Sequence, residues 1–412
     1  MLLTKLSEAF LRSAAYERRF LAKNPWDLSM VLWIPLLTVL LIWWIFSQTQ
    51  ITDLPIGVID QDNSPVANTA VRYLEASPTL TVKQLYYSQA DAEAAILQRD
   101  IYAVVIIPED FSRNILSNKP SPLILQVNAQ YGTHSGIIQT AVQTVASTLS
   151  AGVEIKRLVK QGVASSQVMT AYSPISIQRI SLFNAATNYQ QFLASTVIPA
   201  LLHILAMVVG ATTIGRELRD KNIGRWYRFI SIKDITLTDS AKSPRTISLS
   251  VLLFGLLGKY FWPILAYSSW SALTLWFVTA NQSISLMSLL TVYIGLLCLM
   301  ILSFWLGAIF TLNTFSLRMG LSTTGFISAP SYAFAGVTFP YIAISDSAQY
   351  WSNALPLTHY LKLHIAQLQM QAPIAISVPI VYGLALATII AMLLTALLTK
   401  RALAHPERWG AR

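Results

Sequence analysis

The chain has 412 residues, of which 54% are hydrophobic and 12% charged, and its net charge is +10. A mean hydropathy of +0.51 places it among integral membrane proteins and excludes the soluble class. The single cysteine, Cys298, excludes a disulfide framework and a thiolate metal site.

In residues 1–27 the apolar side chains Leu6, Phe10, Ala14 and Phe20–Leu21 fall near helical spacing, and five Lys and Arg are interspersed among them. This pattern predicts an amphipathic helix in the membrane interface, the alternative being a merely solvated leader. Residues 28–46 are apolar over the length that crosses a bilayer, about 20 residues. That stretch is too long for a signal peptide and lacks a cleavage pattern, so it predicts an uncleaved first transmembrane helix.

Residues 47–191 read as an inserted extracytoplasmic α/β domain. Apolar runs near 56–59, 80–85, 101–107 and 123–127 alternate with helical patterns, which predicts a small, mostly parallel sheet covered by helices. A long helical arm is predicted over 133–161, packed on the sheet or on a partner copy, and a return strand over 172–183. Asp60, Asp62 and Ser64 resemble the start of a calcium loop, but Pro65 stands where that loop needs glycine. We interpret them as a turn and a helix N-cap.

Residues 192–399 hold five more apolar segments, at 192–214, 260–280, 286–310, 321–340 and 379–399. The segment 321–340 is rich in Ser, Thr, Gly and Pro and is a candidate for a broken or re-entrant pair of half-helices. Residues 400–412 form a cytoplasmic tail. The predicted fold class is therefore a polytopic α-helical membrane protein with six transmembrane helices and an inserted α/β domain.

The distribution of charge predicts the orientation. Residues 1–27, 215–259, 311–320 and 400–412 hold 19 Lys and Arg against 8 Asp and Glu, a net of +11, whereas residues 47–191 have a net of −1. By the positive-inside rule both termini are cytoplasmic and the large domain is outside. The basic residues are not gathered on one domain, so no nucleic-acid partner is expected.

The predicted spans contain no Asp, Glu, Lys or Arg, which ion-coupled carriers and ion channels require. The chain also lacks a G-x-x-x-x-G-K-[ST] phosphate loop, so energy for transport would come from another chain. His203 is the only deeply placed ionisable group besides Cys298 and tyrosines. It is either functional or simply hydrogen-bonded to a neighbouring helix.

The segment 215–226 directly follows the second span and mixes charges with Ile223 and Trp226. It is either a solvated helix end that obeys the positive-inside rule or a docking helix for a cytoplasmic partner.

Short motifs occur in order along nearly the whole chain. They are Ile56-Gly57-Val58-Ile59-Asp60, Ala103-Val104-Val105-Ile106-Ile107-Pro108, Leu182-Phe183-Asn184, Gly215-Arg216-Glu217, Leu257-Gly258-Lys259, Phe334-Ala335-Gly336 and Leu355-Pro356-Leu357-Thr358. In this order they resemble the permease subunit of an ABC-2-type exporter, in the subgroup with a large extracytoplasmic domain after the first span.

The resemblance implies a dimer with a second permease copy or a paralogue in the bacterial inner membrane, engaged with cytoplasmic ABC ATPase subunits. ATP and Mg would bind the ATPase, with no cofactor, metal or catalytic residue in this chain. A periplasmic adaptor protein is a further candidate partner. The resemblance assigns the segment 215–259 to ATPase coupling, through Arg216, Glu217, Leu218, Asp220 and Trp226. Residues 231–250 are an insertion relative to the family pattern.

The expected cargo is a hydrophobic or amphipathic compound. Its candidate path is lined by polar groups of spans two and five: Ser195, Thr196, His203, Ser328 and Ser331. The alternative function is a membrane-anchored periplasmic ligand-binding or sensor protein, although such a sensor would normally carry a cytoplasmic output domain. A membrane lipid transferase is a third reading, and residues 346–364 are too sparse in His, Asp and Glu to support it.

Overall fold

The computed structural model describes residues 2–117, 119–162, 182–184, 187–231 and 247–410. The chain divides into two compact units, Met1–Thr49 with Leu182–Arg412, and Gln50–Ser181. The first unit is helical, and the second contains a four-stranded sheet.

The N-terminal helix α1, Leu2–Lys23, buries one face from Leu6 to Leu21. The buried side chains recur every three to four residues, which is the spacing of one helical face. They are Leu6, Ala9, Ser13, Glu17 and Leu21. This face packs against the membrane-length helix Leu249–Thr279. The predicted apolar stripe of α1 is thus used for a contact within the protein.

The first apolar span is a bent pair of helices, α2 (Pro25–Val31) and α3 (Trp33–Ile45), which meet at an angle of 41°. Pro25 occupies the first turn of α2, where its missing N–H costs no hydrogen bond. Trp33 and Trp44 are exposed on the surface of the first unit.

The sheet of the second unit comprises four strands in the order β2-β1-β3-β4. They are β1 (Leu54–Asp60), β2 (Leu80–Leu85), β3 (Ala103–Ile107) and β4 (Ile124–Val127). β1 runs parallel to β2 and β3, and β4 is antiparallel to β3. Every residue of β3 is buried, as its continuous apolar run predicts for a strand covered on both faces.

Helices cover both faces of this sheet. They are α4 (Pro65–Glu75), α5 (Gln89–Leu97), α6 (Phe111–Leu116) and α7 (Gly132–Lys160). One core joins Val58 of β1 to Leu74 of α4 and Ile138 of α7, and the other joins Val104 of β3 to Ala92 of α5. The first half of the long helix therefore packs on the sheet. The return strand predicted over 172–183 lies almost wholly outside the described residues.

Residues 60–64 form the turn and helix N-cap that the sequence predicts. The Asp60 carboxylate accepts the backbone N–H groups of Asp62 and Asn63, each at 3.0 Å, and Ser64 Oγ accepts the N–H of Ala67 at 3.1 Å. Side-chain acceptors thus satisfy the free donors that precede α4.

The rest of the first unit consists of helices. They are α8 (Ser195–Arg219), α9 (Ile223–Ile230), α10 (Leu249–Thr279), α11 (Leu286–Thr314), α12 (Leu317–Ser328), α13 (Ser331–Phe334), α14 (Asp346–Ala354), α15 (Pro356–His364) and α16 (Ile374–Ala404). Within the described ranges, four helices are long and apolar enough to cross a membrane, and the α2–α3 pair makes a fifth if it counts as one span. A π-helical turn, Gln190–Ala194, leads into α8.

The structure gives two details of the predicted spans. The segment 321–340 is broken at Pro330 into α12, with 12 residues, and α13, with 4 residues. At 1.5 Å per residue α12 is about 18 Å long, too short to cross a core of about 30 Å. The helix that contains the third predicted span begins at Leu249 rather than at residue 260 and includes Lys259. The predicted span 260–280 itself holds no charged residue, and Lys259 directly precedes it.

α8 and α11 approach each other closely because each places a glycine at the crossing. A Cβ added to Gly210 would lie 2.1 Å from Phe304 O, and one added to Gly307 would lie 2.0 Å from Met207 O. Close packing of small residues is a main source of association between helices in lipid. This crossing forms the centre of the helical unit.

Candidate functional site: an ion-pair network beside the coupling segment

The predicted coupling residues lie at the end of α8 and in α9, and most of them are inside the protein. Arg216 is 5% exposed and Glu217 is 3% exposed, while Leu218 and Trp226 are completely buried. Only Asp220 is exposed. Neighbouring helices of the same unit enclose the four buried side chains, and the coupling role of all five residues stays a prediction.

Arg216 and Glu217 belong to a buried network of charged side chains from four helices. Glu17 of α1 accepts from the Arg216 guanidinium with one oxygen and lies 3.2 Å from Lys259 Nζ with the other. Lys259 of α10 also lies 2.8 Å from Glu217 Oε1. Arg216 reaches Asp27 of α2 at 3.2 Å. Three carboxylates and two cations thus connect α1, α2, α8 and α10.

Aromatic side chains surround the Lys259 ammonium. Its Nζ lies 5.0 Å from the centre of the Tyr16 ring and 5.5 Å from that of Trp226, within the range of cation–π attraction. The Tyr16 hydroxyl donates to Glu217 Oε2 at 3.4 Å, and Trp226 Nε1 donates to Ser13 Oγ at 3.0 Å. The network therefore also anchors α9 to α1.

The charges of the network favour the ionised form of Glu17. Burial alone would raise the pKa of this carboxyl, but Lys259 and Arg216 outweigh burial and hold the pKa below its usual value. Burial, together with Glu217 and Glu17, raises the pKa of Tyr16 to about 12. Tyr16 is therefore a neutral hydrogen-bond donor at physiological pH.

The exposed surface next to the network carries other residues. Lys221, Arg225 and Arg228 are exposed around α9, and Arg219 Nε donates to the Asp220 carboxylate at 2.8 Å. That hydrogen bond lowers the pKa of Asp220. The coupling role of this segment stays a prediction, now with an exposed surface distinct from the buried network.

Sequence reasoning missed Glu17, Asp27 and Lys259 as network members. One signal was available, because Glu17 follows Ser13 and precedes Leu21 at the four-residue interval of the buried face of α1. A carboxylate on a buried face requires a cationic partner. The sequence did not reveal which cation this partner is, since Lys259 is 242 residues away from Glu17.

The five predicted path residues are all buried among helices of the first unit. Thr196 Oγ1 lies 2.9 Å from the Tyr332 hydroxyl, which joins α8 to α13, and Ser195 Oγ accepts from Gln369 Nε2 at 3.1 Å. Their role in lining a path stays a prediction.

His203 and the two serines of the fifth segment have local partners. His203 Nδ1 lies 2.6 Å from Ser303 Oγ of α11. A hydrogen bond to a neighbouring helix was one of the two interpretations of this residue. Ser328 and Ser331 donate to the carbonyl oxygens of Thr324 and Ser328 at 2.7 and 2.5 Å. In the part of the chain that the structure describes, no group of three or more His, Cys, Asp or Glu could hold a metal ion.

The apolar helices and the crossing of α8 with α11 define a polytopic helical membrane protein. A sequence model described as "ABC-2 family transporter protein" matches residues 25–399, more than nine-tenths of the chain. The chain therefore belongs to the ABC-2 transporter family, and it is an ABC transporter permease. No curated protein matches the sequence significantly.

Proposed function

We propose that this permease exports a hydrophobic or amphipathic compound from the cytoplasm or inner leaflet, driven by ATP hydrolysis on a separate cytoplasmic ATPase subunit. The observation that carries the proposal is the family match over residues 25–399. The sequence has no phosphate loop of its own, which is consistent with ATP and Mg binding to the partner.

In this proposal the ATPase docks on the exposed cations of α9 and the adjoining turn, Lys221, Arg225 and Arg228, together with Asp220. The buried network carries the resulting force inward. Movement of Glu217 at the end of α8 displaces Lys259 on α10 and, through Glu17, the helix α1. Small shifts can pass through such a connection because its members are packed and paired.

Co-purification tests the docking surface. Tagged permease is purified in mild detergent from its native host and probed for a co-purifying ABC ATPase. The chains are the wild type, Arg225→Glu/Arg228→Glu, and the control Arg72→Glu/Lys119→Glu on the second unit. We expect the ATPase to be retained by the wild type and the control and lost from the Arg225/Arg228 variant. Equal retention by all three chains would refute docking on α9.

We further propose that both termini are cytoplasmic in a bacterial inner membrane and that the α/β unit is periplasmic, where an adaptor protein could contact it. The charge asymmetry supports this orientation. In a Cys298→Ala background, Glu93→Cys should react with a membrane-impermeant maleimide in intact spheroplasts. Arg408→Cys should react only after lysis. The reverse pattern would overturn the orientation.

The working unit in this proposal is a dimer with a second copy or a paralogue. Co-expression of two differently tagged copies distinguishes these cases, because a homodimer carries both tags through sequential purification. Recovery of one tag only, together with a related permease chain, would indicate a heterodimer.

A further inference from the structure

The position of α1 relative to the hydrocarbon core can be read from its contacts with α10. A Cβ on Gly258 would lie 2.2 Å from Phe10 O, and Trp262 Nε1 donates to Ala14 O at 2.9 Å. From Lys259 to the end of α10 at Thr279 there remain 20 residues, about 30 Å of helix. That length equals the thickness of the hydrocarbon core. α1 therefore crosses α10 at the boundary between core and headgroups.

At this boundary α1 does not offer its apolar face to lipid. Leu6, Ala9 and Leu21 are buried inside the protein. The exposed side of the helix carries Arg18 and Arg19, and its end carries Lys23. These three cations form no ion pair among the residues that the structure describes, in contrast to the paired Glu17.

The exposed cations are continuous with a surface suited to lipid. Three residues after Lys23, Trp26 is 72% exposed, and further along the bent span Trp33, Leu37 and Trp44 are also exposed. Exposed apolar side chains on a membrane-length segment face acyl chains, and tryptophan favours headgroup depth. Arg18, Arg19 and Lys23 thus precede a lipid-facing surface at the level where phosphate groups lie.

We propose that Arg18, Arg19 and Lys23 form a binding surface for the phosphate groups of anionic phospholipids in the leaflet at the N-terminus. Guanidinium groups match phosphate geometry, and an ammonium supplies a point charge. Lipid phosphates would then hold the outer face of α1, while the ion-pair network holds its inner face. An acidic protein surface could satisfy the same charges, but the adjoining apolar stripe favours lipid.

Native mass spectrometry of protein released from nanodiscs tests the proposal. The discs contain equal amounts of phosphatidylglycerol and phosphatidylethanolamine. The chains compared are the wild type, Arg18→Gln/Arg19→Gln/Lys23→Gln, and a control with the same charge change on the second unit, Arg72→Gln/Arg113→Gln/Lys119→Gln. We expect the wild type and the control to retain phosphatidylglycerol in excess. The α1 variant should lose that excess, by roughly fivefold for each cation removed.

Two further measurements keep the outcome decisive. In the wild type, raising the salt concentration from about 50 to 500 mM should weaken phosphatidylglycerol retention, since surface charges are screened. The charge-conserving variant Arg18→Lys/Arg19→Lys should retain most of the bound phosphatidylglycerol. Unchanged retention in the Gln variant would overturn the proposal. The proposal would also be overturned if the Gln variant retained phosphatidylglycerol normally but lost the co-purifying ATPase. The surface would then belong to a protein partner. Failure of ATPase docking on α9 would leave the lipid proposal unaffected.

Discussion

Lys259 Nζ lies 2.8 Å from Glu217 Oε1 and so joins the end of α8 to the interior of α10. The same ammonium lies 3.2 Å from Glu17 on α1, and its side chain is completely buried. Removing one partner of a buried ion pair leaves an uncompensated charge, which costs far more than the net contribution of the pair. The Lys259 side chain therefore links all three helices, α1, α8 and α10.

Replacing Lys259 with methionine should destabilise the protein by about 3 kcal/mol or more, because Glu17 and Glu217 would lose their shared cation. Thermal unfolding in detergent measures the effect. The matched control is Lys221→Met on the exposed surface, where a change within about 0.5 kcal/mol is expected. Equal melting temperatures for the two variants would show that the network is not a structural element.

The lowered pKa of Glu17 predicts a specific response to acid. A carboxyl with a lowered pKa in the folded state stabilises the protein above its ordinary pKa, about 4.3, and this stabilisation is lost as pH falls through the lowered value. Wild type should therefore exceed Glu17→Gln in melting temperature at pH 7, and the difference should shrink below about pH 4. A difference that is constant with pH would contradict an ionised Glu17.

Gly258 permits the close approach of α1 to α10. A methyl group there would overlap Phe10 O, a backbone atom that can move only if α1 moves. Gly258→Ala should therefore loosen α1, lower the melting temperature and speed cleavage by trypsin after Arg18 and Arg19, because protease cleavage requires the helix backbone to open locally. Gly383→Ala on α16 is the control, because nothing lies within 4 Å of its added Cβ. Its helix should gain slightly in stability, since alanine is the better helix former.

Gln369 joins two helical segments through hydrogen bonds of its amide. Its Nε2 donates to Gln191 O at 3.0 Å and to Ser195 Oγ at 3.1 Å. Gln369→Ala should cost roughly 1–2 kcal/mol, the contribution of one to two such hydrogen bonds. The exposed Gln371, which donates a longer hydrogen bond of 3.5 Å to Ser283 O, is the control. Its alanine variant should melt as the wild type does, and an equal loss in both would argue against the assignment.

Much of the secondary structure was readable in the sequence. Local patterns predicted the long helix α7, the buried strand β3 and the Asp60 turn. The signals were the helical spacing of apolar residues, a continuous apolar run and a capping side chain, and each spans only a short stretch of sequence. The start of α10 was not readable. Residues 249–258 continue the helix outward and pack on other parts of the protein, so membrane length alone could not locate the start.

The sequence by itself determined that this is a polytopic membrane protein, and its ordered motifs indicated the ABC-2 family. A chain that crosses the hydrocarbon core needs long apolar helices, and each such helix can be recognised from its own stretch of sequence. Only the tertiary structure decided that Arg216 and Glu217 are members of a buried ion-pair network. Their partners Glu17 and Lys259 lie 199 and 42 residues away, and a local pattern carries no information about which distant charge compensates a buried one.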